Sequence, residues 1–190
     1  QNLLKIFFSD QKFIEDYKKH PAAVSMHSAC VGGLLEHVNN MLNIALYLCS
    51  EYPNINRDLL LSGVILHDIG KMRELSYVNS FEYTNVGKLV GHVTMGVLML
   101  NERLEKLPDF SQEKKMLLEH MILSHQGLPE YGASKQAMTL EAVALHLVDD
   151  LEAKLTGFQE FVDQNPVSVN GWTPRSFMFN NRELYLSNKL

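Results

Sequence analysis

Residues 59–75 read LLLSGVILHDIGKMREL. An apolar helical run, LLLSGVIL, leads straight into an imidazole and a carboxylate, so His67 and Asp68 emerge from a buried segment. Burying an unpaired carboxylate costs several kcal/mol or forces it neutral, so the pair needs a partner, and a cation is one. Adjacent residues on a continuous helix diverge by about 100°. Both can reach one ion only at a helix edge, with other helices completing the shell. Lys71 follows His67 by four residues and Asp68 by three, which places it on the same face. Its ammonium could hold a phosphate oxygen beside such an ion.

Working outward, helical patterns cover 3–19, 28–52, 57–71, 86–106, 111–125 and 139–163. Pro21 and Pro53 end the first two, and Asn56 is a cap for the third. Residues 75–84, LSYVNSFEYT, suggest a short hairpin around Asn79-Ser80. A loop with Gly, Pro and Ser spans 127–138. The expectation is an all-α fold of about six helices with a small β-hairpin. It forms one domain over 1–165, with a C-terminal arm over 166–190 that is irregular or a strand pair.

The 139–163 segment is apolar nearly all round. Leu140, Val143, Ala144, Leu147, Leu151, Leu155 and Phe158 form a stripe expected to face the core. Ala142, Leu145, Val148 and Ala153 fill much of the rest, so this helix is expected to be central. Asp149 and Asp150 in its middle then need a metal or a buried basic partner.

Formal net charge is −5, which counts against a surface built only for nucleic acid. No run of about 20 apolar residues is present, so no membrane partner is expected. Cys30 and Cys49 are expected on one helix, roughly 28 Å apart, too far for a disulfide, which suits a reducing cytoplasm. The chain starts at Gln1 without a signal peptide or an initiator Met, as an excised domain or a processed product would.

Of eight histidines, His37, His92 and His125 join His67 as ring donors flanked by apolar residues on separate helices, and Asp149 adds a carboxylate. A single histidine on an apolar face is more often a satisfied core residue than a ligand. Four of them, with His-Asp-x-x-Lys and an acid on an apolar helix, point together to a metal centre. A histidine and carboxylate set without thiolates suits Mn²⁺, Fe, Co²⁺, Ni²⁺ or Zn²⁺. His20 reads as an exposed helix end, His120 as a non-ligand, and His146 as an outer support for the site.

His37, His67-Asp68 and Asp149, in this order, resemble the H…HD…D pattern of the HD-domain phosphohydrolase superfamily. The stretches GGLLEHV (32–38), GKLVGHVTMGVLML (87–100), ILSHQG (122–127) and MTLEAVALHLVDDLEAKLTGF (138–158) look like the HD domain of YhaM-type 3′-to-5′ exoribonucleases. This resemblance covers about residues 20–160. It implies an all-α HD fold and hydrolysis of phosphodiesters from a 3′ end. It also implies one or two divalent ions, Mn²⁺ foremost, and an N-terminal OB-type domain missing from this chain. Carried over by position, His37, His67, Asp68 and Asp149 match ligands of a first ion. His92 and His125 match those of a second, with Asp68 shared. Where many relatives have a His pair, this chain has His125-Gln126, and Gln126 offers only a weak amide oxygen.

The expected function is hydrolysis of single-stranded RNA, or DNA, by metal-activated water, with Asp68 and Lys71 as catalytic residues. Arg73, Lys135 and Tyr131 are candidates for substrate contact, with Lys88 and Phe81 as further ones. The rival readings are a nucleotide or cyclic-dinucleotide phosphohydrolase and a non-catalytic HD regulatory module.

Overall fold

A computed structural model describes residues 2–24, 30–77 and 80–187. The first expected helix is two: α1 (Asn2–Phe8) and α2 (Gln11–Lys19). Asp10 divides them, because its carboxylate accepts the Phe13 N–H and caps α2. Then come α3 (Gly33–Glu51), α4 (Arg57–Leu66) and the single turn α5 (Lys71–Glu74). Asn56 caps α4 by accepting the Leu59 N–H at 3.1 Å, as the sequence predicts.

The short hairpin pairs β1 (Leu75–Ser76) with β2 (Glu82–Tyr83) in antiparallel register. Asn79 of its expected turn lies outside the described residues. The 86–106 segment is broken at Gly91 into α6 (Asn85–Val90) and α7 (His92–Leu104). There φ is +77°, a conformation that favours glycine. Last come α8 (Gln112–Ser124), α9 (Leu140–Gln164) and a second hairpin, β3 (Trp172–Ser176) with β4 (Arg182–Tyr185). Phe179, from the turn of that hairpin, meets Phe158 of α9 edge-on at 5.7 Å. The described residues are thus mostly helical, with two small antiparallel strand pairs among them.

The core is built where α3, α4, α8 and α9 meet. Leu34, Met41, Leu60, Leu66, Met121, Ile122 and Leu145 are all buried there. α4 and α9 both pack on α3 and α8, but none of residues 59–66 of α4 is exposed, so α4 is more central than the last long helix to which the sequence assigned that place. α9 turns one face inward, through Ala142, Ala144, Leu145 and Val148. Leu140, Val143, Leu147, Leu151 and Leu155 of the expected core stripe are 41% to 61% exposed. The physical reason is that Asp149 and Glu152 lie on the inward side, against α3. Small Ala142 and Ala144 also let α9 approach its neighbours closely.

Two further expectations are corrected. Cys30 precedes α3, so the two cysteines do not share a helix; both thiols are free. Residues 28 and 29 of the expected long helix lie outside the described residues. His20 is buried, not exposed: Tyr77 stands edge-on to its ring at 5.0 Å, and Nδ1 is 3.4 Å from Asp16 Oδ1. Among the described residues, no helix is long and apolar enough to cross a membrane.

Candidate metal centre

α4 ends at Leu66, with His67 as its last residue in helical conformation, its N–H still bonded to Gly63 O. Asp68 then begins a turn that closes when the Lys71 N–H donates to Asp68 O at 3.0 Å. At this helix end the two side chains reach the same region, His67 Nε2 lying 3.3 Å from Asp68 Oδ2. Gly70 makes the turn fit, since a Cβ there would overlap the His92 carbonyl oxygen and the Gly96 nitrogen of α7. The close approach brings His92 beside Asp68.

The other donors arrive from separate elements. His37 lies one turn into α3, His92 opens α7, His125 follows the end of α8, and Asp149 sits mid-α9. Two groups form. In one, ligand atoms of His37, His67 and Asp149 lie within 4.8 Å of one another. In the other, Asp68, His92 and His125 do the same. Asp68 stands between them: Oδ2 is 3.3 Å from His67 Nε2, and Oδ1 is 3.5 Å from both His92 Nε2 and His125 Nε2.

Each ring is fixed from behind through Nδ1. His67 Nδ1 donates to Val64 O at 2.8 Å, and His125 Nδ1 to Ile122 O at 2.7 Å. His92 Nδ1 is 3.1 Å from Glu74, and His37 Nδ1 is 2.5 Å from Glu152. Carbonyls and carboxylates only accept, so Nδ1 carries the proton on every ring. The four Nε2 atoms therefore converge as coordinating atoms beside two carboxylates. Such a set of lone pairs and negative charge suits a divalent cation. His67 Nε2 and Asp68 Oδ1 are buried without a hydrogen-bond partner, an arrangement that a bound ion would repair. The residues thus fit a divalent metal site.

The electrostatics agree. Burial pushes the Asp149 carboxyl up, but the His37 hydrogen bond and the electrostatic influence of the neighbouring His67 and His125 rings outweigh it and hold the group down at about 2. Burial opposes Asp68 ionisation too. The Lys71 ammonium, 2.6 Å from Oδ2, and the neighbouring histidines keep it well below the usual carboxylate range. Burial disfavours a charged His37, yet hydrogen bonds to Asp149 and Glu152 win and raise it to about 9. Without an ion, His37 therefore holds a second proton on Nε2, shared with Asp149 Oδ1 at 3.2 Å.

All six residues expected as ligands are brought together, and Lys71 lies beside them. Asp150 is not: it is exposed and pairs with Lys154 at 2.6 Å. His120 accepts the Met138 N–H. His146 supports the site from outside, donating through Nδ1 to His125 O at 2.9 Å. Arg73 is occupied by a two-pronged pair with Glu102, at 2.9 and 2.6 Å. Tyr131 and Lys135 are exposed in the loop after α8, Lys88 is exposed on α6, and Phe81 is half-buried.

Glu74 and Glu152 were missed from sequence. Glu74 is buried and grips both the backbone N–H of His92, at 2.9 Å, and its ring. Glu152 is held on its other oxygen by Asn40 and Thr156. Spacing held a clue for the second, since Glu152 falls three residues after Asp149 and so on the same face.

Comparison with known proteins gives a consistent picture. Residues 34–154 match the HD domain family. The 3′-5′ exoribonuclease YhaM of Bacillus licheniformis is 39% identical over 175 residues, covering 92% of this chain and 55% of that protein. The protein of the same name from Bacillus subtilis is 39% identical over 178 residues, covering 94% and 56%. That of Oceanobacillus iheyensis is 38% identical over 192 residues, covering 99% and 58%. The chain therefore spans a little over half the length of these curated relatives. No solved structure matches.

Proposed function

Because the chain belongs to the HD domain family, we propose that it is a metal-dependent phosphodiesterase that shortens single-stranded RNA from the 3′ end. The observation that carries this reading is the convergence of four Nε2 atoms and two carboxylates, two of these atoms buried without a partner. Support for the substrate comes from relatives named 3′-5′ exoribonucleases that align with nearly the whole chain.

In this reading His37, His67 and Asp149 hold a first divalent ion. His92 and His125 hold a second, and Asp68 turns one oxygen to each group. Such ions supply activated water and polarise the phosphoryl oxygen. Lys71 stays a cation: burial works against its charge, but Asp68 and neighbouring acids more than compensate. Its role is to neutralise charge on the phosphoryl oxygens beside Asp68. Mn²⁺ is the proposed metal. A chain at −5 releases few counterions on binding RNA, so strand grip would come largely from an OB-type domain N-terminal to these residues. A cytoplasmic setting belongs to the same proposal and is supported by two free thiols.

The test is to incubate the purified chain and Mn²⁺ with 5′-labelled single-stranded RNA. The expected result is a ladder shortening from the 3′ end. Lys71→Ala should lower kcat on the order of 10²-fold with metal content unchanged. Good turnover of mononucleotides or cyclic dinucleotides with intact RNA would replace this reading by a nucleotide phosphohydrolase. Bound metal with no turnover of any of them would indicate a regulatory module.

A further inference from the structure

Gln126 directly follows the ligand His125, and its side chain reaches back into the second ligand group. The amide nitrogen lies 3.0 Å from His125 Nε2 and 3.3 Å from His92 Nε2. Both Nε2 atoms are acceptors, because Ile122 O and Glu74 fix the protons of their rings on Nδ1. Only a donor suits the space between two acceptors, and the NH₂ end of an amide has two N–H groups to give. These are the same two lone pairs that a second ion would need. In the His37, His67 and Asp149 group, by contrast, His67 Nε2 is buried without a hydrogen-bond partner.

We propose that the Gln126 amide is a resident competitor for the second ion, so that this chain holds one divalent ion tightly and takes a second only when Gln126 swings aside. The inference rests on the two-group metal centre proposed above. It makes the second site an exchangeable one, filled according to the free ion concentration while the first stays loaded.

The experiment is to count ions and measure their affinities by calorimetric titration of metal-free protein with Mn²⁺, in wild type and Gln126→Ala. Wild type should show one tight ion and one weak one. Two neutral hydrogen bonds of about 1 kcal/mol each are lost in the variant, so its second dissociation constant should fall on the order of thirtyfold. The first should not move, which also shows that the variant is folded. Gln126→Met, which fills the space without a donor, should tighten the second site as well. In metal-free protein, the ¹⁵N resonances of His92 Nε2 and His125 Nε2 should shift toward unbonded nitrogen in both variants, with that of His67 unchanged. A second site that is unchanged or weaker in Gln126→Ala overturns the proposal, the weaker result making Gln126 a ligand. Two equally tight ions in wild type overturn it too. If neither protein binds any ion, the metal centre itself is wrong and the inference falls with it. That outcome differs from the others because the first site is then absent as well.

Discussion

Glu152 holds His37 from behind, as Glu74 holds His92, so each ligand group has one ring backed by a carboxylate and one backed by a carbonyl. A carboxylate behind the ring fixes its orientation and raises its basicity as a ligand. Glu152→Ala should therefore weaken binding of the first ion on the order of tenfold to a hundredfold, read by calorimetric titration, and leave the second-ion affinity closer to wild type. Equal loss at both sites would point to a general disturbance of the fold. His37 also gives a pH dependence. Its value in the folded, metal-free protein is about 9 against an ordinary 6.5, so its charged form stabilises the fold fully below about pH 6.5. That contribution is lost as pH climbs through about 9. Chelator-treated protein should show a Tm that falls across this window, and His37→Gln should remove that part of the fall. An ion must displace the Nε2 proton, so ion affinity should rise over the same window. At this scale the six candidate ligands were legible, because a charged or ring donor inside an apolar run stands out. Glu74 was not, because a solvated acid is ordinary at such a place, and Glu152 was marked only by its three-residue spacing from Asp149.

Among the elements, α9 was the hardest to orient. Its two apolar faces are alike in sequence, and periodicity alone does not say which one turns inward. The position of Asp149 decides it: the inward face must carry that carboxylate, and Leu145 and Val148 share that side while Leu147 and Leu151 do not. Leu145→Ala should cost about 2–5 kcal/mol in denaturant unfolding, as for a fully buried leucine. Leu147→Ala, at 57% exposed, should cost less than about 0.5 kcal/mol. Similar costs at the two positions would mean that the helix is rotated from this description. Helix boundaries were legible where a cap marks them, as at Asn56. The break at Gly91 was hidden because apolar residues continue across it, whereas the one at Asp10 was marked by the polar run Ser9-Asp10-Gln11-Lys12 and a capping carboxylate that the sequence reading passed over.

Across the whole molecule, the candidate ligands come from α3, the turn after α4, α7, the end of α8 and α9. An ion that binds this gathered set and not the unfolded chain stabilises the fold by mass action, about 2.7 kcal/mol at a hundredfold excess over Kd. Tm should rise with added Mn²⁺ and fall with chelator, while Asp149→Ala should blunt the response. The mostly helical architecture was legible from periodicity. The central place of α4 was not, because it depends on how helices far apart in sequence stack. The spread of the ligands also sets an order of events in time. His37 and Asp149 are separated by roughly 110 residues, and bringing such distant points together costs on the order of 4 kcal/mol of chain entropy. That cost falls before any ion can be held by both ends. A transition state that has not yet joined α9 to α3 offers the ion no complete site, so the ion should leave the refolding rate nearly unchanged and slow unfolding instead. The metal would then act as a late latch that lengthens the lifetime of the folded chain without hastening its formation.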